Sequence, residues 1–208
     1  MNGMASLLAK QNLSSWESTG LYGTGTMGSF AGANSPLPGL LDSVAQFDAL
    51  HIPRTQIVMG LPWYGDDYAC NASVVGSAAG GNCTAYLNGA KPWGQFGKRL
   101  QYEQAAALLE SDARATSVAY ERQTASAHFD YLCPSSNVTS SGYACEPPGR
   151  HQVWVDTQGS LMVKMASLRD AGLRGVAVWD TGSIDHTAKD HQGEAMWDAF
   201  LAFAAPRA

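Results

Sequence analysis

The chain has 208 residues, 45% of them hydrophobic and 15% charged, with 22 glycines and a net charge of −5. That composition is globular, not disordered, and one domain is the default at this length. The acidic balance, with no basic stripe, argues against nucleic acid as a partner, and no apolar run approaches the ~20 residues that span a bilayer.

Residues 1–31 form a lead without a readable period. Met4 to Gln11 has room for a helical turn or two, and Gly20 to Pro38 is a Gly-, Ser-, Thr- and Pro-rich loop. The first ten residues lack a charged n-region and an apolar h-region, so no signal peptide is expected in this chain. Leu40 to Leu50 carries apolar residues at helical spacing, and Pro53 prevents the helix from continuing. Gln56 to Leu61 is a short, β-branched apolar run that reads as a buried strand. It breaks into Pro62-Trp63-Tyr64-Gly65, which places two aromatics at the strand's C-terminal exit. In a parallel α/β sheet or barrel, ligands bind at that end.

Residues 66–150 interrupt the alternation of helix and strand. They hold a helix near Tyr102 to Asp112, a strand near Ser117 to Gln123, and then His128-Phe129-Asp130-Tyr131. The four cysteines fall as two local pairs, Cys70/Cys83 and Cys133/Cys145, each bracketing a polar segment. Their connectivity is not readable from sequence, and each short closed loop would contribute on the order of 3 kcal/mol. Glycosylation sequons begin at Asn12, Asn71, Asn82 and Asn137, three of them beside cysteines. Together these features point to an oxidising, secretory compartment. The alternative, free or metal-binding cysteines, lacks any Cys-x-x-Cys or ligand-like histidine spacing. No metal and no cofactor are therefore expected.

Gln152 to Asp156 alternates as a short strand. Ser160 is a candidate N-cap for a helix from Leu161 to Ala171, with Gly172 placed to end it. Arg174 to Trp179 repeats the first strand's pattern, with small and β-branched residues followed by Trp and then Asp180. A polar loop, Thr181 to His191, leads to a last helix from Gln192 to Phe203, and residues 204–208 are a tail.

Several of these blocks resemble the family-18 glycoside hydrolases (chitinases and their relatives). Gln56-Ile-Val-Met-Gly-Leu-Pro-Trp-Tyr-Gly65 is similar to the family's seventh barrel strand. Trp154-Val-Asp-Thr-Gln-Gly-Ser160 with Lys164 resembles the segment before the last strand, and Leu173 to Trp179 resembles the eighth. Pro62-Trp63-Tyr64-Gly65-x-Asp67-Tyr68-x-Cys70, His151 to Trp154 and the segment between them look like the chitobiase branch. The resemblance implies an α/β fold: strands seven and eight of a (β/α)8 TIM barrel, here incomplete, with a disulfide-containing α+β insertion over 66–150. Residues 32–203 would form the hydrolase-like part. It also implies hydrolysis of N-acetylglucosamine oligosaccharides in a lysosomal or secreted setting, by a retaining mechanism in which the substrate's acetamido oxygen attacks its own anomeric carbon while one Glu protonates the leaving oxygen.

That Glu belongs to an Asp-x-x-Asp-x-Asp-x-Glu motif that does not occur in this chain, nor does the sixth-strand Met-x-Tyr-Asp. No catalytic residue is assigned, and the chain is expected to be a C-terminal part of a longer protein, inactive alone, from a truncated gene model or partial transcript. A non-catalytic, chitin-binding, lectin-like protein is the alternative. The expected sugar-binding residues are Trp179, which matches the floor of the −1 subsite, with Trp63, Tyr64, Asp67 and Asp180. The competing reading is a core Trp179, rim aromatics packed under the insertion, and solvated or capping acids. Trp154 is expected to pack, Trp197 to be core, and His151, His186 and His191 to be solvated loop histidines.

Overall fold

The computed structural model describes residues 29–70, 83–85, 98–111, 115–187 and 192–205. In chain order its elements are β1 (Ser29–Phe30), α1 (Leu37–Ala49), β2 (Val58–Pro62), β3 (Tyr64–Ala69), β4 (Thr84–Ala85), β5 (Lys98–Gln101) and α2 (Tyr102–Ser111). They continue with β6 (Ala119–Glu121), β7 (Ser126–Cys133), β8 (Gly149–Val155), α3 (Gln158–Asp170), β9 (Gly175–Trp179) and α4 (Gln192–Ala204). Single turns of 3-10 helix lie at Arg54–Gln56 and Thr181–Ser183.

Two layers of different construction meet at Trp63. In the first, β2 and β9 pair in parallel, Val58 with Gly175 through Pro62 with Trp179. Helices cover one face of this pair. Leu40 and Val44 of α1, Leu161, Met165 and Leu168 of α3, and Met196 and Ala199 of α4 close over Ile57, Met59, Leu61 and Trp63. The apolar periodicity of each helix thus meets every second residue of β2, as helical and strand periods require.

The helix boundaries have local causes. α1 begins at Leu37 because Pro38 is tolerated in the first turn, and it ends where His51 turns left-handed at φ 59°. The N-cap of α3 is Thr157, not Ser160. Ser160 sits at the third helical position, where its hydroxyl accepts from the Thr157 amide while Thr157 Oγ1 accepts from the Ser160 amide, a reciprocal capping box. Gly172 ends the helix with φ 87°, a conformation other side chains resist.

The second layer is a five-stranded antiparallel sheet in the order β5-β3-β8-β7-β6. Asp66 and Asp67 lie within β3, which pairs with β8 from Asp66/Trp154 to Ala69/His151. One sheet face carries Leu100, Phe129, Tyr131, Val153 and Val155 and packs on Ala105 and Leu108 of α2. The cysteine pairs are two local disulfides, Cys70–Cys83 and Cys133–Cys145. The first packs with Ala31, Tyr68 and Trp154 on the opposite face.

Gly65 is required where β3 crosses β8. A Cβ there would stand 2.7 Å from the Trp154 carbonyl oxygen and 3.0 Å from the Val155 Cβ. Gly65→Ala is therefore expected to destabilise by about 1–3 kcal/mol, the usual range for overpacking, measured as a lowered urea midpoint. Among the described residues, no helix is long and apolar enough to cross a membrane.

Candidate functional site

The register of β2 and β9 divides their side chains between two environments. Met59, Leu61 and Trp63 point to the helices, as do Val176 and Val178. The alternate positions, Val58, Gly60 and Ala177, end at Trp179, and this face is open. Val58 and Trp179 are 52% and 51% exposed, and nothing lies within 4 Å of where a Gly60 Cβ would be. The small residues leave room beside a flat indole at the C-terminal end of the strand pair. The apolar C–H face of a pyranose suits such a surface.

Trp63 does not share that surface. It is 1% exposed, with its ring edge-on to Trp197 at 4.8 Å and to Phe200 at 6.2 Å between centroids. This corrects the expectation that Trp63 contacts ligand: the alternation that turns Trp179 outward turns Trp63 into the helix layer. Its backbone still serves the site, since the Trp63 amide donates to the Trp179 carbonyl at 2.8 Å. Trp197, expected in the core, is 44% exposed on its outer side while packing on Trp63 with its inner one.

Tyr64 follows, half-buried, where alternation returns the side chain to the Trp179 side of the strand. The Arg99 guanidinium of β5 lies 3.4 Å from the Tyr64 ring centroid. Arg99 also pairs across the sheet with Asp66. Burial pushes the Asp66 carboxyl above its usual value, and the nearby guanidinium works against that shift. Tyr64, Asp66 and Arg99 thus form an aromatic and polar cluster on β3 and β5, at the start of the strand that follows Trp63. Arg99 carried no sequence signal, because Lys98-Arg99-Leu100-Gln101 is too short to show a period.

Asp180 is joined to Trp179 by a cis peptide, is half-buried, and its carbonyl accepts from the Ser183 amide at 3.1 Å. Asp67 is a second correction. It is buried beneath the sheet, where Oδ2 accepts from the hydroxyls of Tyr131 at 2.8 Å and Tyr143 at 3.3 Å, and Oδ1 lies 2.9 Å from His151 Nδ1. A carboxylate so enclosed holds the sheet together and does not reach a sugar. His151 is correspondingly a buried strand residue and not a solvated one. His186 is exposed as expected, and His191 lies outside the described residues.

Trp154 packs as expected, its ring tilted over His128 at 4.5 Å. Of the sequons, Asn12, Asn71 and Asn82 lie outside the described residues. Asn137 is exposed at a left-handed turn position, φ 57°, inside the Cys133–Cys145 loop. Among the described residues, no group of three or more His, Cys, Asp or Glu side chains is placed to hold a metal ion.

No family profile matches the chain. A Dictyostelium discoideum protein described as probable di-N-acetylchitobiase 1 is 30% identical over 186 residues, covering 83% of this chain and 44% of its own length. Among solved structures, the Group IV chitinase of Ostrinia furnacalis, in complex with allosamidin, superposes with a TM-score of 0.63 at 16% identity. That match covers 88% of this chain and 48% of the other. Human YKL-39, described as a pseudo-chitinase with retained chitooligosaccharide binding, superposes with a TM-score of 0.61 at 18% identity, covering 85% and 46%. The structural likenesses establish a chitinase-like α/β fold of TIM-barrel type. The chain spans less than half the length of the curated relatives it matches.

Proposed function

We propose that the chain is chitinase-like, of the family-18 glycoside hydrolase type and related to the di-N-acetylchitobiases, and that its Trp179 rim is a platform for N-acetylglucosamine oligosaccharides. The observation that carries the reading is the half-exposed indole at the end of β9, on the strand face that also carries the small residues Gly60 and Ala177. Trp179, Tyr64 and Asp180 remain the sugar contacts of this proposal, with Arg99 and Asp66 added to them.

In the same reading, β2 and β9 are the seventh and eighth strands of a (β/α)8 barrel, and residues 66–150 are an insertion beside its mouth. The parallel pairing and the one-sided helix layer support this, since the open face of β2 and β9 corresponds to a barrel interior. Residues 32–203 make up this hydrolase-like part, between the lead 1–31 and the tail 204–208. The whole protein's activity would be retaining, substrate-assisted hydrolysis of such oligosaccharides. The acid-bearing motif does not occur in this chain, so the chain alone binds and does not turn over. Two disulfides and the exposed Asn137 sequon support a lysosomal or secreted glycoprotein.

Titration calorimetry with a chitotetraose tests this reading. Saturable binding is expected, weakened about fivefold or more in Trp179→Ala, as for loss of an aromatic stack worth on the order of 1 kcal/mol or more. A fluorogenic chitobioside should release no more fluorophore than buffer does. Unchanged binding in Trp179→Ala removes the platform, and robust turnover removes the assignment of the acid. Binding without turnover in a full-length protein as well would favour the second reading, a chitooligosaccharide-binding protein without catalysis, of the kind described for YKL-39.

A further inference from the structure

Beneath the five-stranded sheet, four side chains from β3, β7, β8 and the Cys133–Cys145 loop converge on one buried point. Asp67 accepts from Tyr131 and Tyr143 on Oδ2 and faces His151 Nδ1 with Oδ1 at 2.9 Å. The other ring nitrogen, His151 Nε2, lies 2.8 Å from the Pro147 carbonyl oxygen. A carbonyl only accepts, and a carboxylate taking two tyrosine protons only accepts. Both imidazole nitrogens must therefore donate, and a histidine that donates from both nitrogens is an imidazolium. The Tyr131 hydroxyl also lies 3.3 Å from Nδ1, but its proton is directed to Asp67.

We propose that the Asp67–His151 pair is a pH-sensitive latch: the sheet over residues 64–155 is held closed while His151 is doubly protonated, and it loosens when that proton leaves at neutral to alkaline pH. Without the proton, either the buried Asp67 carboxylate or the part-buried Pro147 carbonyl loses its imidazole donor, and at Asp67 burial keeps solvent from replacing it. The elements joined at this point are distant in sequence, since Asp67 pairs with Val153 across β3 and β8.

The groups facing the imidazole are Asp67 from β3, Tyr131 from β7, Tyr143 from the stapled loop and, more remotely, Lys98 from β5. Burial alone would lower the His151 pKa, but the hydrogen bond and charge of Asp67, aided by the Pro147 carbonyl, raise it above its ordinary 6.5, with Lys98 opposing. Burial also raises the Tyr143 phenol, and the Asp67 charge adds to this, so Tyr143 stays neutral and continues to donate. Lys98 is held away from the pair, its ammonium on the Ala144 carbonyl at 2.6 Å and over the Tyr143 ring. The sign follows from the raised folded value. The latch is fully engaged below the unfolded histidine's pKa and is lost as pH rises through the higher folded one. An acidic compartment suits this arrangement, and the inference does not depend on what the Trp179 rim binds.

The test is ¹⁵N NMR of the imidazole nitrogens in the intact chain, with thermal melts over the same pH series. At about pH 6 both His151 nitrogens should be protonated, and the melting midpoint should fall by several degrees as the pH rises past neutral. His151→Gln, which can offer a donor to only one partner, should melt lower at acidic pH and lose that part of the pH dependence. A single protonated nitrogen on His151 at about pH 6 overturns the proposal. So does a His151→Gln profile parallel to that of the unmodified chain. If the variant does not fold, the nitrogen spectrum of the unmodified chain decides alone.

Discussion

Replacing Lys164 with methionine is expected to cost about 3–5 kcal/mol of stability, although nothing of that residue reaches the surface. Its ammonium, fully buried, lies 2.7 Å from both oxygens of Asp156 and 3.0 Å from Ser126 Oγ. Ser160 adds a donor to Asp156 at 2.8 Å. Burial drives both members toward neutrality, Asp156 upward and Lys164 downward, and their mutual attraction opposes it. Methionine keeps the volume of the lysine and removes its charge, leaving an uncompensated buried carboxylate.

Two consequences separate this from ordinary core disruption. The double variant Lys164→Met/Asp156→Leu should recover most of the loss, because replacing a buried pair by apolar residues is often neutral or better. The cost of the single variant should also shrink as pH falls, because unpaired Asp156 then takes up a proton. Urea unfolding of the three variants at neutral and acidic pH reads both. A Lys164→Met cost below about 1 kcal/mol would contradict the view that this pair holds the β8–α3 connection onto the helix.

The second large effect is expected at Trp63, and its contrast with Trp179 is the point. Trp63→Ala should cost about 3–5 kcal/mol, the range for emptying a large aromatic site in a core. Trp63 fills the space between β2 and α4, in contact with Trp197 and Phe200. Trp179→Ala removes a side chain that is half in solvent, so its effect on stability should stay within about 0.5 kcal/mol. Paired urea melts and oligosaccharide titrations on the two variants should therefore give opposite patterns. Trp63→Ala lowers the midpoint, whereas Trp179→Ala weakens binding. Equal stability losses would mean that Trp179 is a core residue.

That contrast also marks how far the sequence could be read. Gln56 to Leu61 and Arg174 to Trp179 announce themselves as strands because β-branched apolar runs bounded by Gly and Pro have few other uses. α1, α3 and α4 are legible for the complementary reason, a 3.6-residue apolar period long enough to register. Which of two aromatics faces a ligand depends on the phase of alternation within a five-residue strand, and apolar runs buried on one whole face do not display that phase. Hence the sequence does not show that Trp179 stands half-exposed while Trp63 turns into the helix layer.

β3 is not legible as a strand because Tyr64-Gly65-Asp66-Asp67-Tyr68-Ala69 has the composition of a loop. Its pairing is supplied by β8, a partner far along the chain, and tertiary context overrides local propensity there. Asp67 and His151 resemble solvent-facing residues in the sequence for the same reason. A buried polar residue looks like a surface one until its partner, far away in sequence, is known. The cysteines group locally in the sequence, but their connectivity, Cys70–Cys83 and Cys133–Cys145, comes from the structure.

A last consequence follows from the way β2 runs into β3. A single residue, Trp63, separates the parallel pair from the antiparallel sheet, its side chain clamped in the core and its amide bonded to the Trp179 carbonyl. The chain thus passes from one sheet to the other with no linker, and the same residue that fills the helix-covered core fixes, through its amide, the backbone that presents the exposed indole.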